Sequence, residues 1–200
     1  TEVAFADLHI GRLLAAIAAR RARGGETLVV LAGDHGESLG EHGEWGHGRT
    51  LYEPALAIPL GIVWPGRVRP QVVAAPASIL DVAPTVLGLL GLSSPPGCRG
   101  LDWTPVLEGR APPPAGRILW FQAHKGAVLS GREATAARRR GLLAVGRLAG
   151  GGVEIVTPSA PSGRRHELYD LAADPGERAD LGSTGTPSPE LRAWLAAVAR

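Results

Sequence analysis

The sequence predicts an α/β fold: part of a helix-covered sheet, followed by a small antiparallel sheet and a terminal helix. Three observations carry this expectation. A helical pattern over residues 3–23 passes through Gly24-Gly25 into the apolar run TLVVLA, Thr27 to Ala32. The stretch from Ser93 to Gly116 is rich in Pro and Gly and separates two halves of different pattern. Beyond it lie short strand-like pieces and a last amphipathic segment. The expected organisation is therefore residues 1–92 as the α/β part, 93–116 as a linker and 117–200 as a small antiparallel subdomain with a C-terminal helix.

Each element has its own reason. In the first helix, Ile10, Leu13, Leu14 and Ile17 recur at the i, i+3, i+4, i+7 spacing of one face. Arg20, Arg21 and Arg23 favour its C-terminal end, and the two glycines stop it. TLVVLA is short, continuous and Val/Leu-rich, the pattern of a strand buried on both faces in a parallel sheet. Ile58 to Trp64 is a second apolar run, closed by Pro65-Gly66. Ser78 to Leu92 reads as a helix that begins near Asp81, with Pro84 in its first turn. Strands are expected at Arg117–Gln122, Leu142–Leu148, Val153–Thr157 and Glu167–Leu171, with Gly150-Gly151-Gly152 as a hairpin turn. Ala134–Arg140 reads as a helical turn or a solvated loop. Glu190–Ala199 presents Leu191, Trp194, Leu195 and Val198 on one helical face.

Composition narrows the function. The 200 residues are 44% hydrophobic and 20% charged, a globular balance. Lys+Arg 21 against Asp+Glu 19 leaves +2, and Lys125 is the only lysine. No broad cationic face follows, so no nucleic-acid partner is expected. A single cysteine, Cys98, excludes an internal disulfide framework and an all-cysteine metal site, and leaves the compartment open. No apolar stretch approaches the roughly 20 residues of a bilayer span, so no integral membrane segment is expected. The chain starts at Thr1 and contains no Met, which suggests a processed or partial chain; no signal-peptide pattern is visible.

The chemistry concentrates in Gly33–Arg49, GDHGESLGEHGEWGHGR. Asp34-His35 directly follows the first apolar run, and ligands in open α/β sheets bind at the carboxyl ends of strands. A carboxylate and an imidazole side by side suit a divalent cation. His42, His47, Glu37, Glu41 and Glu44 follow, so three of the six histidines fall within thirteen residues. From residues alone, a metal loop and a solvated turn both remain open.

Thr27–Gly66 resembles the metal-binding segment of sulfatases, in the alkaline phosphatase superfamily. Ala6–Ile17 resembles the helix that precedes this strand in the family. SILDVAPTVLGLLGL resembles its D-x-x-P-T-x-L-x-x-x-G segment, and Leu168–Leu181 its LYDL-x-x-D-P-x-E-x-x-N-L stretch. The resemblance implies a doubly wound, sulfatase-like sheet of which this chain is the C-terminal part. It implies hydrolysis of sulfate monoesters, with phosphodiester or phosphonate hydrolysis, or a non-catalytic metal-binding or interaction module, as alternatives. Asp34 and His35 would be ligands of the divalent cation, Ca in most of the family and Mg, Mn or Zn in other members. His47 lies near the position where many sulfatases carry a Lys on the substrate anion; it would act in catalysis and substrate binding, or ligate a second metal. His42 would face substrate or serve structure.

The departures matter too. The family's nucleophile, a formylglycine or Ser in C/S-x-P-x-R, and its early Asp pair do not occur in these residues. The chain therefore reads as the distal part of an enzyme whose missing N-terminal half would be its partner, with a small-molecule or glycan sulfate ester as substrate. Alone it is expected to turn over little or nothing. Cys98 reads as a loop thiol, and Ser38 and Ser78 lack the context of a nucleophile. Arg138–Arg140 read as a solvated face, Asp170 and Asp174 as turn residues, and Asp7 as a helix carboxylate. Tyr52 and Trp64 read as core residues. Trp45 would stack on substrate or cap the loop. Glu37 and Glu41 would orient histidines or remain solvated.

Overall fold

The computed structural model describes residues 2–124, 142–149, 151–157, 165–182 and 185–198. Ala134–Arg140, including Arg138–Arg140, lie outside the described residues. The chain divides into two compact units: 1–32, 59–73 and 79–113 in one, and 33–58, 74–78 and 114–200 in the other.

The first unit opens with helix α1, Glu2–Ala22. Glu2 in its first turn and Arg20 and Arg21 in its last match the sign of the helix dipole. Gly24, at φ 83°, ends it. The apolar stripe is where expected but is not buried: Leu13 is 61% exposed and no residue of α1 is buried. Only its C-terminal part, at Leu14 and Ile17, lines a groove with Val29, Val63 and Trp64. A stripe needs an opposing apolar layer, and none faces the N-terminal turns among the described residues.

Strand β1, Val29–Ala32, likewise departs from expectation. Among the described residues it pairs only with β4, Leu60–Val63, and it does so antiparallel, Val29 opposite Val63 and Ala32 opposite Leu60. Leu31 and Val63 are more than half exposed, so the strand is not buried on both faces. An apolar run records what can be buried, whereas actual burial depends on the neighbours supplied on each face.

The D-x-x-P-T segment explains itself. A 3₁₀ turn at Ile79–Asp81 leads into α3, Val82–Leu89, with Pro84 in its first turn, where a missing N–H costs nothing. The buried Asp81 carboxylate accepts the Leu101 N–H at 2.8 Å and the Trp103 indole N–H at 2.9 Å. Thr85 Oγ1 accepts the Trp103 N–H at 3.0 Å and donates to Leu101 O at 3.3 Å. The returning chain is thus pinned before α4, Thr104–Leu107, a helical turn within the expected linker. Asp102 Oδ1 caps that turn at the Thr104 N–H, 2.8 Å away.

The second unit holds a small ribbon, β2 (Ser38–Leu39) with β3 (Trp45–Gly46), and a helical turn α2, Glu53–Leu56. Its main sheet is antiparallel in the order β5-β6-β7-β8: Leu119–His124, Leu142–Ala149, Gly152–Thr157 and Arg165–Asp170. Gly151, at φ 85°, lies between β6 and β7 within the expected hairpin turn; Gly150 lies outside the described residues. Leu51, Ala123, Val153, Ile155 and Tyr169 form its core. Helix α5, Pro189–Val198, buries Leu191 completely and sets Trp194 against Trp120, ring centroids 4.8 Å apart. Ser188 joins helix to sheet: its Oγ accepts the Leu191 N–H and donates to the buried Glu154, which also faces His166 and Arg147. Among the described residues no helix is long and apolar enough to cross a membrane.

Candidate metal centre

The site lies in the second unit, on the loop that follows β1. Gly36 fixes its path. The Gly36 N–H donates to Ala55 O at 3.0 Å, and a Cβ at this position would run into the Pro54 carbonyl oxygen. Only glycine lets the loop press this closely on α2.

Asp34 and His35 converge. Asp34 Oδ1 accepts the His35 backbone N–H at 3.1 Å, which turns Oδ2 toward the imidazole. His35 Nδ1 lies 2.8 Å from Gly36 O. A carbonyl only accepts, so Nδ1 carries the proton and Nε2 keeps its lone pair. That Nε2 stands 3.7 Å from Asp34 Oδ2. One divalent cation with bonds of about 2.0–2.5 Å can bridge such a separation. Asp34 is 87% exposed and His35 43%, an open pair rather than a closed cage.

His47 joins from the far side of the ribbon. Its ring stacks on His35, centroids 3.6 Å apart at 27°. Its Nδ1 lies 3.0 Å from Glu37 Oε2, so Glu37 accepts the Nδ1 proton and orients the ring. Metal-ligating atoms of His35, Glu37 and His47 all lie within 4.8 Å of one another. The sequence reading treated Glu37 as an orienting or solvated acid; the structure brings it into a possible ligand set.

His42 is directed differently. It holds a left-handed backbone, φ 54°, between Gly40 and Gly43. Its ring lies flat on Tyr52 at 3.8 Å, and its Nε2 is 3.5 Å from Glu177 Oε2. Glu41 serves its own loop by accepting the Leu39 N–H at 2.6 Å, and these backbone hydrogen bonds draw its pKa down. Trp45 is 72% exposed, which excludes a role capping the loop against the core. Cys98 is exposed and free. Asp170 and Asp174 accept backbone N–H groups of residues 172–173 and 178–179, as turn residues do.

The sequence reading overlooked a buried acidic layer behind the loop. Glu167 accepts hydrogen bonds from the Tyr52 and Tyr169 hydroxyls at 3.0 Å each. Burial, then the Glu167 carboxylate, pushes the Tyr169 phenol upward. Glu177 is 2% exposed; its Oε2 accepts the Glu53 N–H at 2.8 Å, and its Oε1 has no hydrogen-bond partner among the described residues. Burial, then the nearby carboxylates of Glu53, Glu167 and Asp174, push its pKa up to about 7, against the downward pull of the Glu53 N–H. The D-P-x-E spacing was the available signal, but it gave no hint of burial.

A family model described as Sulfatase matches residues 1–92. Choline-sulfatase of Rhizobium meliloti (strain 1021) is 32% identical over 110 residues, covering 54% of this chain and 21% of the relative. Arylsulfatase A of Homo sapiens is 30% identical over 184 residues, covering 83% of this chain and 36% of the relative. A phosphonate monoester hydrolase from Silicibacter pomeroyi superposes with a TM-score of 0.69 at 28% identity, over 97% of this chain and 37% of that one. A structure in complex with its substrate D-glucosamine-2-N,6-O-disulfate superposes with a TM-score of 0.66 at 25% identity, over 96% and 37%. The chain thus spans well under half the length of each of these proteins. The mixed α/β class expected from the sequence is the class observed, and its structural neighbours include sulfatase-like members of the alkaline phosphatase superfamily.

Proposed function

The chain belongs, through residues 1–92, to the sulfatase family, and from that premise we propose that it supplies part of the divalent-metal centre of a sulfuric ester hydrolase. One observation carries the reading: Asp34 Oδ2 and His35 Nε2 converge at 3.7 Å, with the His35 tautomer fixed by Gly36 O. A bound divalent cation would neutralise charge on the oxygens of the sulfuryl group. Asp34 and His35 would hold it, with Ca or Mg favoured by oxygen donors and Mn or Zn by the imidazole.

His47 serves the same site in one of two protonation states. Its Nδ1 proton is committed to Glu37, so Nε2 is the working atom. Protonated, Nε2 donates to a sulfate oxygen or to the departing alkoxide. Neutral, it joins His35 and Glu37 as a ligand. Trp45, two residues before His47 in the chain, is exposed and open to a sugar or aryl group. The 200 residues contain no C/S-x-P-x-R segment, so in this reading the nucleophile, formylglycine or Ser, comes from residues outside them. The substrate is a small-molecule or glycan sulfate ester.

A phosphonate or phosphoester substrate is the second reading. His35 and the likeness to a phosphonate monoester hydrolase favour it. Calorimetric titration of the chain with Mn²⁺, beside Asp34→Ala and His35→Ala, tests the metal assignment: binding in the parent and loss in both variants is expected. The chain alone should hydrolyse aryl sulfates and phenyl phosphonates little or not at all. Turnover abolished by Asp34→Ala would contradict that. Adding the N-terminal half and comparing the two substrates separates the two chemistries.

A further inference from the structure

We propose that Glu177 is a positioning residue for the ligand-bearing loop, clasping it through His42 and through the first turn of α2. A single atom makes both contacts. Glu177 Oε2 accepts the Glu53 N–H at 2.8 Å and stands 3.5 Å from His42 Nε2. Residues 42 and 53 flank His47, so the clasp holds the chain on both sides of that histidine. Tyr52, the residue before Glu53, stacks flat on His42 with ring centroids 3.8 Å apart.

The backbone supplies an independent argument. Among the described residues, His42 and Glu177 are the two non-glycine residues with positive φ, 54° and 51°. They face each other across the same contact. A left-handed backbone is costly for residues with a Cβ and persists where surrounding contacts over-determine it. Here each partner's conformation aims its side chain at the other. Glu177 also has no exposure that would let water perform the task, and its Oε1 makes no hydrogen bond within the described residues. An acid buried among the carboxylates of Glu53, Glu167 and Asp174 does not serve stability through its charge. Its carboxyl group instead meets the side chain opposite, the imidazole of His42, at 3.5 Å.

The clasp concerns the loop of the proposed metal centre and rests on that reading only for its consequence in metal affinity. Amide hydrogen exchange on the full chain tests the clasp without metal. The reporters are the Gly40, Gly43 and Glu44 amides, each bonded within the loop. Glu177→Gln keeps an acceptor for Glu53 and removes the carboxylate facing His42. It should speed exchange at these amides roughly tenfold, the scale of one lost polar contact to a carboxylate, while amides of β6 and β7 do not accelerate. His42→Gln, made on the loop side, should do the same. The double variant should be no faster than either single one. Mn²⁺ affinity should fall in step with loop protection. Unchanged loop exchange, additive effects, or acceleration spread equally over β6 and β7 would overturn the clasp. Should Glu177→Gln not fold, His42→Gln alone decides by the same loop-specific criterion. Absence of Mn²⁺ binding in the parent chain would defeat the metal reading and leave the exchange result standing.

Discussion

Replacing Glu177 with Gln should change how stability depends on pH. Glu177 is 2% exposed, and burial raises its pKa from the ordinary 4.5 to about 7 in the folded chain. Between those values the folded chain binds a proton that the unfolded chain has released. Stability is therefore fully present below the unfolded value and declines as pH rises through the folded one. Between about pH 5 and about pH 8 the decline attributable to this group is about 2–3 kcal/mol. For a chain of this size that corresponds to roughly 5–10 °C in Tm. Gln has nearly the same shape and no charge to lose. The assay is urea unfolding followed by circular dichroism across this range for both proteins. The difference between variant and parent should move in the variant's favour by this amount as pH rises. Parallel profiles, with a constant offset at every pH, would refute the burial argument.

Asp81→Ala should destabilise the chain by about 2–4 kcal/mol, because the buried Trp103 indole N–H and the part-buried Leu101 N–H lose their acceptor; urea midpoints measure it. Ser188→Ala should cost about 1 kcal/mol from the lost cap of α5, seen as a Tm decrease without loss of the sheet's signal. Gly36→Ala should displace the loop from α2 and weaken Mn²⁺ binding, read by calorimetry beside loop amide exchange. Glu37→Gln leaves His47 a weaker orienting partner and should lower Zn²⁺ affinity about tenfold; an unchanged titration would remove Glu37 from the site.

Local features were legible because local chemistry causes them. The glycine pair ends α1, Pro84 marks the first turn of α3, and Gly151, at φ 85°, lies at the turn from β6 to β7. Asp34 and His35 stood out because a long polar loop seldom follows an apolar strand without a role. Burial was less legible. The α1 stripe and Leu31 have apolar side chains, but sequence pattern cannot supply the layer that would cover them. Glu177 was invisible for the opposite reason. An acid after Asp-Pro-Gly reads as a solvated turn, and only the folded chain brings residue 177 against 42 and 53. Glu37 was ambiguous until the ribbon set it beside His47.

Binding of one divalent cation by Asp34 and His35 together is the premise of the proposed function. Calorimetric titration of the parent chain and of the Asp34→Ala/His35→Ala double variant with Mn²⁺ examines it most directly. The account predicts one ion bound per parent chain and none by the double variant, with circular dichroism unchanged. Equal binding by both proteins would contradict it.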